Sequence, residues 1–218
     1  MRVVSILNPK GGCGKTTLAT NLAQSFQDQG RRVLLVDSDP QGSARDWHAA
    51  RADNPIPLVS LDRPNNLRTV GSVGEGYDLV IIDGAAKLED MIAAAIKVSG
   101  AVLIPVQPSP YDIWGAADLV DLIKTRQEVT DGKPVAAFVI SRAIKNTKLG
   151  AEISEALAVH GFPVFKTGTT QRQAYAQTAA EGKTVMVTEG PAADEVNGIA
   201  KELLELFDGG SHAASTTA

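Results

Sequence analysis

Cysteine is nearly absent from this chain, and so are long apolar segments. Cys13 is the one cysteine among 218 residues, so no internal disulfide framework can form. No run of about 18 apolar residues and no apolar signal-peptide core occurs, so nothing indicates secretion or a membrane span. These absences predict a cytoplasmic protein.

The hydrophobic content sets bounds on the architecture. With 44% hydrophobic residues, a chain of 218 residues can bury one sizeable core. We find no internal repeat and no linker, so we expect a single domain over residues 1–208. Residues 209–218 are small, polar and glycine-containing, which predicts a disordered tail.

Short apolar runs alternate with helical patterns along the chain. The apolar runs predict strands at residues 3–7, 33–36, 59–61, 79–82, 102–106, 136–140 and 164–165. This βαβα rhythm favours an α/β fold, in which a mainly parallel twisted sheet carries helices on both faces. In sheets of this kind, ligands bind at the carboxyl ends of the strands.

The most specific motif follows the first predicted strand, where the sequence from Pro9 reads PKGGCGKTT. Its glycines let backbone N–H groups converge on an anion, and the helix beginning near Lys15 adds the positive end of its dipole. The pattern is a P-loop, which places Lys15 on the β- and γ-phosphates of a nucleotide and the Thr16 hydroxyl directly on Mg²⁺. The predicted nucleotide-binding residues of the loop are Lys10, Gly11, Gly12, Cys13, Gly14, Lys15, Thr16 and Thr17.

The loop departs from the plain P-loop pattern at its start. Pro9 stands where the first glycine is expected, and an additional lysine, Lys10, opens the loop. This variant resembles the deviant P-loop of the ParA/MinD family of ATPases, closest to small plasmid ParA partition proteins resembling ParF. The resemblance implies ATP as the nucleotide and an ATP-dependent homodimer in which Lys10 reaches the partner's nucleotide. Lys10 and Lys15 are therefore candidate catalytic residues.

Two carboxylates follow the second predicted strand, in the sequence DSDPQG. Because the strand ends between Asp37 and Asp39, we expect both to face the phosphates, one ordering the Mg²⁺ shell and the other orienting the attacking water. The run resembles the first switch region of ParA proteins, in which the second aspartate is the hydrolytic one. The resemblance makes Asp39 the catalytic residue and also a residue of the Mg²⁺ site, acting through water, and it makes Asp37 a supporting nucleotide-site residue.

A third element consists of four apolar residues that end in Asp83 and Gly84. It resembles a Walker B strand, which implies that Asp83 binds Mg²⁺ through water and that Gly84 leaves room for a backbone N–H near the γ-phosphate. Hydrophobic strands often end in aspartate, so this motif is weak by itself. It supports a nucleotide site because it follows the P-loop and the DSDPQG run in the expected order.

Prolines cluster from the end of the fifth predicted strand onward, in the sequence IPVQPSPYD, and three prolines in six residues are expected to forbid a continuing helix or central strand. The cluster resembles the proline-rich segment at the dimer interface of small ParA proteins, although a rigid strand exit without an interface role would leave the same pattern. Trp114 lies just beyond it. Either a dimer anchor or ordinary helix packing suits this residue, and we expect packing.

Residues 133–183 are more basic than the rest of the chain. They contain seven Lys or Arg against three Glu, a balance of +4 in a chain of net charge −4, so the remainder carries −8. This asymmetry suits contact with DNA phosphates, although a solvated mixed-charge surface can arise by chance. Within it, TTQRQAY followed by EGKTV resembles the ParA segment whose arginine contacts nonspecific DNA. The candidate DNA-binding residues are Arg172, Lys145, Lys148 and Lys183.

The last helical pattern places its apolar residues among acidic ones. MinD relatives end in a basic amphipathic membrane helix, whereas an acidic face is repelled by anionic lipid. We therefore expect this helix to pack on the domain, without stable membrane association. Its apolar residues are Val196, Ile199, Leu203, Leu204 and Phe207.

The resemblance implies an ATPase whose ATP-dependent sandwich dimer sits on nonspecific DNA in the nucleoid. Hydrolysis stimulated by a ParB-like adaptor would drive plasmid or chromosome partition, or position another cargo. Two alternatives remain open: a metabolic ATP-dependent ligase of the cobyrinic or dethiobiotin type, and a MinD-like membrane-associated division-site regulator.

Two hypotheses about single residues complete the site. Residues Ser141 and Arg142 are hypothetical contacts of the adenine base. Cys13 would be redox-sensitive if its helix N-terminus lowers the pKa of the thiol.

Overall fold

The computed structural model describes residues 1–144 and 149–213. Neighbouring strands in its sheet are all parallel, and their order across the sheet is β3-β2-β4-β1-β5-β6. The predicted α/β class and parallel sheet are confirmed. The strands are β1 (Arg2–Ile6), β2 (Val33–Asp37), β3 (Leu58–Ser60), β4 (Leu79–Asp83), β5 (Ala101–Val106) and β6 (Val135–Ile140).

Helices cover both faces of the sheet because the crossovers run in opposite directions from its centre. Helix α1 leads from β1 to β2, whereas α5 leads from β4 back across β1 to β5, and right-handed crossovers place these two helices on opposite faces. The helices are α1 (Lys15–Asp28), α2 (Ser43–Ala49), α3 (Pro64–Leu67), α4 (Val70–Val73), α5 (Glu89–Val98), α6 (Pro110–Trp114), α7 (Ala117–Glu128), α8 (Leu149–Ala158), α9 (Gln173–Ala180) and α10 (Pro191–Ala213).

The sheet separates two hydrophobic cores. Val80 and Ile82 of β4 pack with α5 and α7 on one face, while Leu79 and Ile81 pack with α1 and α10 on the other. Side chains of a strand alternate between faces, and both faces are buried here. This is why β4 is a continuous apolar run instead of an alternating one.

Helix α10 packs on the domain, as predicted. Val196, Ile199, Leu203 and Phe207 are buried in the same core as α1, and Leu204 packs partly against it. No helix within residues 1–144 and 149–213 is both long enough and apolar enough to cross a bilayer.

Helix α10 also continues through Ala213, so the first five residues of the predicted tail, 209–213, are helical. The buried part of the helix nucleates it, and every further residue then adds a hydrogen bond at little cost. Residues 214–218 lie outside the described part of the chain.

Two predictions need correction. The apolar pair 164–165 makes only a single bridge, between Val164 and Phe138, because two residues are too short to extend the ladder. The proline-rich segment, which we expected to exclude a central strand, overlaps the predicted strand 102–106, and the strand prediction is the one confirmed: Pro105 lies inside β5. It is tolerated because the pairing of β1 with β5 already ends at Leu103, so the missing N–H costs no ladder bond on that side.

Candidate nucleotide-binding site

A cavity of about 600 Å³ opens at the carboxyl ends of the strands. It lies beside β1, where the crossovers diverge, and open α/β sheets bind ligands at this kind of position. Its wall consists of the P-loop, the loops after β2, β4 and β6, and α9. The lining residues are Gly11, Gly12, Gly14, Lys15, Thr16, Thr17, Leu18, Asp39, Gln41, Ser43, Ala86, Arg142, Thr169, Thr170, Gln171, Arg172, Tyr175, Ala176 and Ala179.

The P-loop has the backbone geometry of an anion cradle. Gly12 and Gly14 adopt positive φ angles of 76° and 97°, which side chains disfavour, and Gly14 caps the N-terminus of α1. The first N–H groups of a helix have no intrahelical acceptor and carry the positive end of the dipole. The loop therefore directs free donors into the cavity.

The ammonium group of Lys15 is held across this loop. The residue is 7% exposed, and its Nζ donates to the carbonyl oxygen of Lys10 at 2.9 Å. The positive charge thus lies at the phosphate end of the cavity before any ligand arrives.

Lys10 is engaged within its own chain. Its Nζ lies 2.5 Å from Oδ2 of Asp112 in α6, whose side chain is 2% exposed and whose Oδ1 has no partner. The predicted reach of Lys10 into a second chain therefore requires this ion pair to break.

Thr16 lines the cavity, and Asp83 is buried directly behind it. The Thr16 hydroxyl donates to Oδ2 of Asp83 at 2.7 Å, while Oδ1 of Asp83 is buried without a partner. Burial and, to a smaller extent, the negative charge of Asp37, which lies opposite it in the ladder, together raise the pKa of Asp83 to about 7, although the hydrogen bond from Thr16 opposes the shift. A buried carboxylate oxygen without a donor is an unsatisfied acceptor that a cation would stabilise.

These residues fit Mg²⁺. The ion prefers oxygen ligands, keeps several waters, and is usually held by one or two protein side chains together with substrate phosphates. Among the described residues there is no group of three His, Cys, Asp or Glu that could hold a metal without such help. Thr16 and Asp83 would hold the ion once a triphosphate completes its shell.

Asp39 lies on the cavity wall, half-buried, between two loops. Its Oδ1 accepts the N–H of Gln41 at 3.0 Å, and its Oδ2 accepts the N–H of Ala86 at 3.3 Å. The carboxylate is therefore oriented by the loop after β2 and by the loop after β4. This position is compatible with the predicted water-orienting role.

The position of Asp37 contradicts our expectation that both aspartates face the phosphates. It is fully buried and does not line the cavity. Its Oδ1 accepts the N–H of Asp39 and its Oδ2 the N–H of Arg45, each at 3.0 Å. Backbone donors just past a strand end need acceptors, and the short Asp side chain supplies them. Asp37 supports the loop from beneath.

Arg45 is a residue of the site that sequence reasoning missed. Its guanidinium donates to the carbonyl oxygens of Asp39 and Pro40 at 3.0 and 3.1 Å, and it pairs with Asp62 at 3.0 Å. Arg45 thereby fastens the loop that presents Asp39. The sequence does not predict this role, because the partner Asp62 is 17 residues away on another loop.

Gly84 serves packing instead of phosphate contact. Its N–H donates to the carbonyl oxygen of Ile6 at 3.1 Å, so this donor is occupied. A Cβ at this position would lie 2.6 Å from the same oxygen, closer than any side chain tolerates. Glycine is required here because β1 approaches too closely.

Another part of the cavity wall follows β6. Arg142 lines it with a left-handed φ of 56°, and its Nε donates to Oε1 of Gln171 at 2.9 Å. Ser141 does not line the cavity, since its hydroxyl donates to the carbonyl oxygen of Cys13 at 2.6 Å and supports the P-loop from behind. Of the two hypothetical adenine contacts, only Arg142 is thus placed to touch a ligand.

The candidate DNA-binding residues lie in different surroundings. Arg172 lines the nucleotide cavity, and its guanidinium is 2.7 Å from Glu195, with the side chain 23% exposed. Lys183 is paired with Glu181 at 2.7 Å on the surface. Lys145 and Lys148 lie outside the described residues. Two of the predicted contacts are therefore engaged by carboxylates of their own chain.

The condition for a redox-sensitive Cys13, a lowered pKa of the thiol, is not met. Burial raises the pKa of the Cys13 thiol, with the nearby Lys15 charge opposing the shift, so the thiolate expected of a redox sensor is disfavoured.

Trp114 does not show the helix packing that we expected. Its side chain is 67% exposed and contacts Tyr111 edge-on, with ring centroids 5.5 Å apart, so it does not pack in the core.

Comparison with known proteins agrees with this site. Residues 4–185 match the CobQ/CobB/MinD/ParA nucleotide binding domain. The chain is 30% identical over 208 residues to the maintenance of carboxysome distribution protein A of Halothiobacillus neapolitanus, covering 92% of this chain and 95% of that protein. A protein of the same name in Gloeobacter kilaueensis is 32% identical over 212 residues, with coverage of 95% and 94%. The chromosome-partitioning ATPase Soj of Thermus thermophilus is 29% identical over 238 residues, covering 94% and 96%.

Solved structures share the fold. Cobyrinic acid a,c-diamide synthase from Mycobacterium smegmatis, with a bound ATP analog and magnesium, superposes with a TM-score of 0.78 at 20% identity, covering 96% of each chain. A McdA variant from Cyanothece in complex with ATP gives 0.75 at 17% identity, covering 94% and 96%. The matched domain and the full-length relatives together confirm the ParA/MinD resemblance: this chain belongs to the CobQ/CobB/MinD/ParA family of nucleotide-binding domains.

Proposed function

We propose that this protein is a ParA-like ATPase that binds ATP with Mg²⁺, dimerises in the ATP state and hydrolyses ATP when a partner stimulates it. The observation that carries the proposal is the convergence, on one cavity, of the P-loop, Asp39 and Thr16, whose hydroxyl donates to the buried Asp83. Phosphoryl transfer to water requires these parts: phosphate neutralisation, a metal site and an oriented nucleophile.

Each residue has a distinct role in this proposal. Lys15 and the loop N–H groups neutralise the β- and γ-phosphates, and Thr16 with Asp83 holds Mg²⁺, which stabilises the charge that develops on the phosphate oxygens. Asp39 accepts a hydrogen bond from the attacking water and orients it. Arg45 keeps the Asp39 loop in place, and the base and ribose lie against the wall formed by Arg142 and residues 169–179.

The surroundings of Lys10 support the proposal that the protein dimerises. Its ammonium lies at the rim of the loop with the side chain 43% exposed, and α6 beside it presents the exposed Tyr111–Trp114 pair. Exposed aromatic side chains of this size are enriched at protein interfaces. In the dimer, Lys10 leaves Asp112 and neutralises the partner's nucleotide, so hydrolysis is slow until both sites are complete.

We further propose that the ATP-bound dimer associates with nonspecific DNA in the nucleoid, and that a ParB-like adaptor triggers its release. The basic balance of residues 133–183 supports DNA contact. The relatives named for carboxysome distribution and for chromosome partition support a cycle that positions a cargo. Arg172 contributes to DNA binding only if it exchanges Glu195 for a phosphate, whereas Lys183 is on the surface already.

An ATPase assay tests the proposal directly. Purified protein should bind Mg²⁺-ATP, form dimers with ATP but not with ADP in light scattering, and hydrolyse ATP slowly, with DNA changing the rate. Failure to bind ATP would refute the site. ATP turnover that is insensitive to DNA and dimerisation, yet depends on an added carboxylic acid substrate, would favour the metabolic ligase.

A further inference from the structure

One wall of the nucleotide cavity is held by a residue outside it. Glu195 of α10 does not line the cavity, and its side chain is 13% exposed. Its Oε1 accepts the Thr170 hydroxyl and the Arg172 guanidinium, each at 2.7 Å. Its Oε2 accepts the Thr170 N–H and the Tyr175 hydroxyl, each at 3.1 Å. All three donor residues line the cavity.

We propose that Glu195 is a positioning residue that fixes the wall facing the nucleoside and thereby determines the affinity for the nucleoside part of the nucleotide. The assignment rests on the proposed function, because it takes the phosphates to lie at the P-loop. With the phosphates fixed there, the wall of Arg142 and residues 169–179 supplies much of the remaining cavity lining for the rest of the ligand. Three residues of that wall keep their orientation through a single carboxylate.

The charge state of the cluster suits this role. Burial alone would raise the pKa of Glu195, but the hydrogen bonds from Arg172, Thr170 and Tyr175 outweigh it, and its pKa lies below the ordinary value. Burial and the facing carboxylate raise the pKa of Tyr175 well above the usual range, so its hydroxyl keeps the proton that it donates. Charge-assisted hydrogen bonds of this kind are stronger than neutral ones and more directional.

The same helix offers a matched control. Glu202 lies two turns further along α10, and its carboxylate accepts the N–H groups of Lys166 and Thr167 at 2.7 and 2.8 Å. Neither of these residues lines the cavity. Glu202 therefore holds a loop to α10 in the same manner as Glu195, without touching the nucleotide wall.

The experiment compares Glu195→Gln and Glu195→Ala with Glu202→Gln. Binding of Mg²⁺-ATP, of Mg²⁺-ADP and of Mg²⁺-tripolyphosphate is measured by calorimetry and competition, alongside melting temperature. Tripolyphosphate has no nucleoside, so it reports on the P-loop alone. We expect Glu195→Ala to weaken ATP and ADP binding by about tenfold or more, as for the loss of hydrogen bonds to a charged group. Glu195→Gln should lie between it and the wild type.

Tripolyphosphate affinity should change by less than about twofold in every variant, and ATP affinity should stay normal in Glu202→Gln. Equal losses for ATP and tripolyphosphate in the Glu195 variants would show general damage and overturn the assignment. Unchanged ATP affinity in both Glu195 variants would overturn it as well. Absence of ATP binding by the wild type would refute the proposed function itself. This result concerns the wild type alone, so it can be distinguished from the two results for the Glu195 variants that would overturn the assignment.

Discussion

Lys15 and Asp39 both line the cavity, and in the proposed mechanism they act on different steps. Lys15→Gln removes the charge that neutralises the phosphates, so nucleotide binding should be lost. Asp39→Ala should bind Mg²⁺-ATP and dimerise, yet lose at least about 100-fold in turnover, because only water orientation is removed. Equilibrium binding and single-turnover hydrolysis separate these outcomes.

Asp46→Ala is the control for the Asp39 variant, since this nearby aspartate of α2 does not line the nucleotide cavity. Its turnover should match that of the wild type. Hydrolysis at the wild-type rate by Asp39→Ala would show that another residue orients the water.

The raised pKa of Asp83, about 7, makes both stability and ligand binding depend on pH. The ordinary value in an unfolded chain is about 3.9, so between roughly pH 4 and 7 the folded state binds more protons. The contribution of this group to stability is therefore full below pH 4 and is lost as pH rises to about 7. Mg²⁺ needs the ionised carboxylate, so the affinity for Mg²⁺-ATP should fall as pH drops below about 7.

Asp83→Asn should remove both effects. At pH 8 the ligand-free variant should melt higher than the wild type, by about 2–4 °C for each kcal/mol gained. It should also lose the dependence of nucleotide affinity on Mg²⁺. Melting curves and calorimetry at several pH values test this, and a lower melting temperature of the variant at pH 8 would contradict the sign.

At the scale of the element, α6 combines Asp112, which holds Lys10, with the exposed Tyr111–Trp114 pair. Lys10→Ala and Trp114→Ala should therefore both retain nucleotide binding by the monomer and weaken ATP-dependent dimerisation, by about tenfold or more. Asp112→Asn, which frees the ammonium, should dimerise at least as well as the wild type. Sedimentation with ATP gives the dimer constants.

Val129→Ala is the matched control for Trp114→Ala, because Val129 is also largely exposed, at 74%, but lies at the end of α7. Its dimer constant should be that of the wild type. Normal dimerisation by Lys10→Ala would exclude the sandwich arrangement.

At the scale of the whole molecule, the proposed dimer would double each basic contact with DNA. Two phosphate contacts per protomer would neutralise about four phosphates, which gives a log–log salt slope of about −3.6. Binding should weaken roughly a hundredfold between about 50 and 200 mM salt, equally for unrelated sequences, and it should require ATP. Fluorescence anisotropy on two unrelated duplexes measures this.

Arg172→Gln and Lys183→Gln compare a cation of the cavity wall with a cation of the surface. Lys183→Gln should weaken DNA binding without changing ATP binding. Arg172→Gln should weaken ATP binding, because Arg172 lines the cavity, and it should also weaken DNA binding if Arg172 exchanges Glu195 for a DNA phosphate. DNA binding that is unchanged in Arg172→Gln would assign this residue to the nucleotide alone. DNA binding that ignores the nucleotide state would contradict the proposed cycle.

Much of the site was predictable because its chemistry is carried by neighbouring residues. The P-loop needs only consecutive backbone groups, two glycines with positive φ and a helix start, all of which lie within residues 9–17. The parallel sheet was predictable for a similar reason, since buried strands appear as apolar runs between helical patterns. The carboxyl ends of such strands meet at one edge, which brought Thr16, Asp39 and Asp83 together as expected.

The tertiary structure decided what each polar group faces. Lys10 and Asp112 are 102 residues apart in sequence, and Arg172 and Glu195 are 23 residues apart. No local sequence pattern therefore predicts either ion pair. Asp37 and Asp39 differ by two positions, yet one is sealed under the loop and the other lines the cavity. A buried charge must find a partner wherever the fold provides one. Sequence therefore determined which chemistry is present, and folding determined which residues are free to perform it.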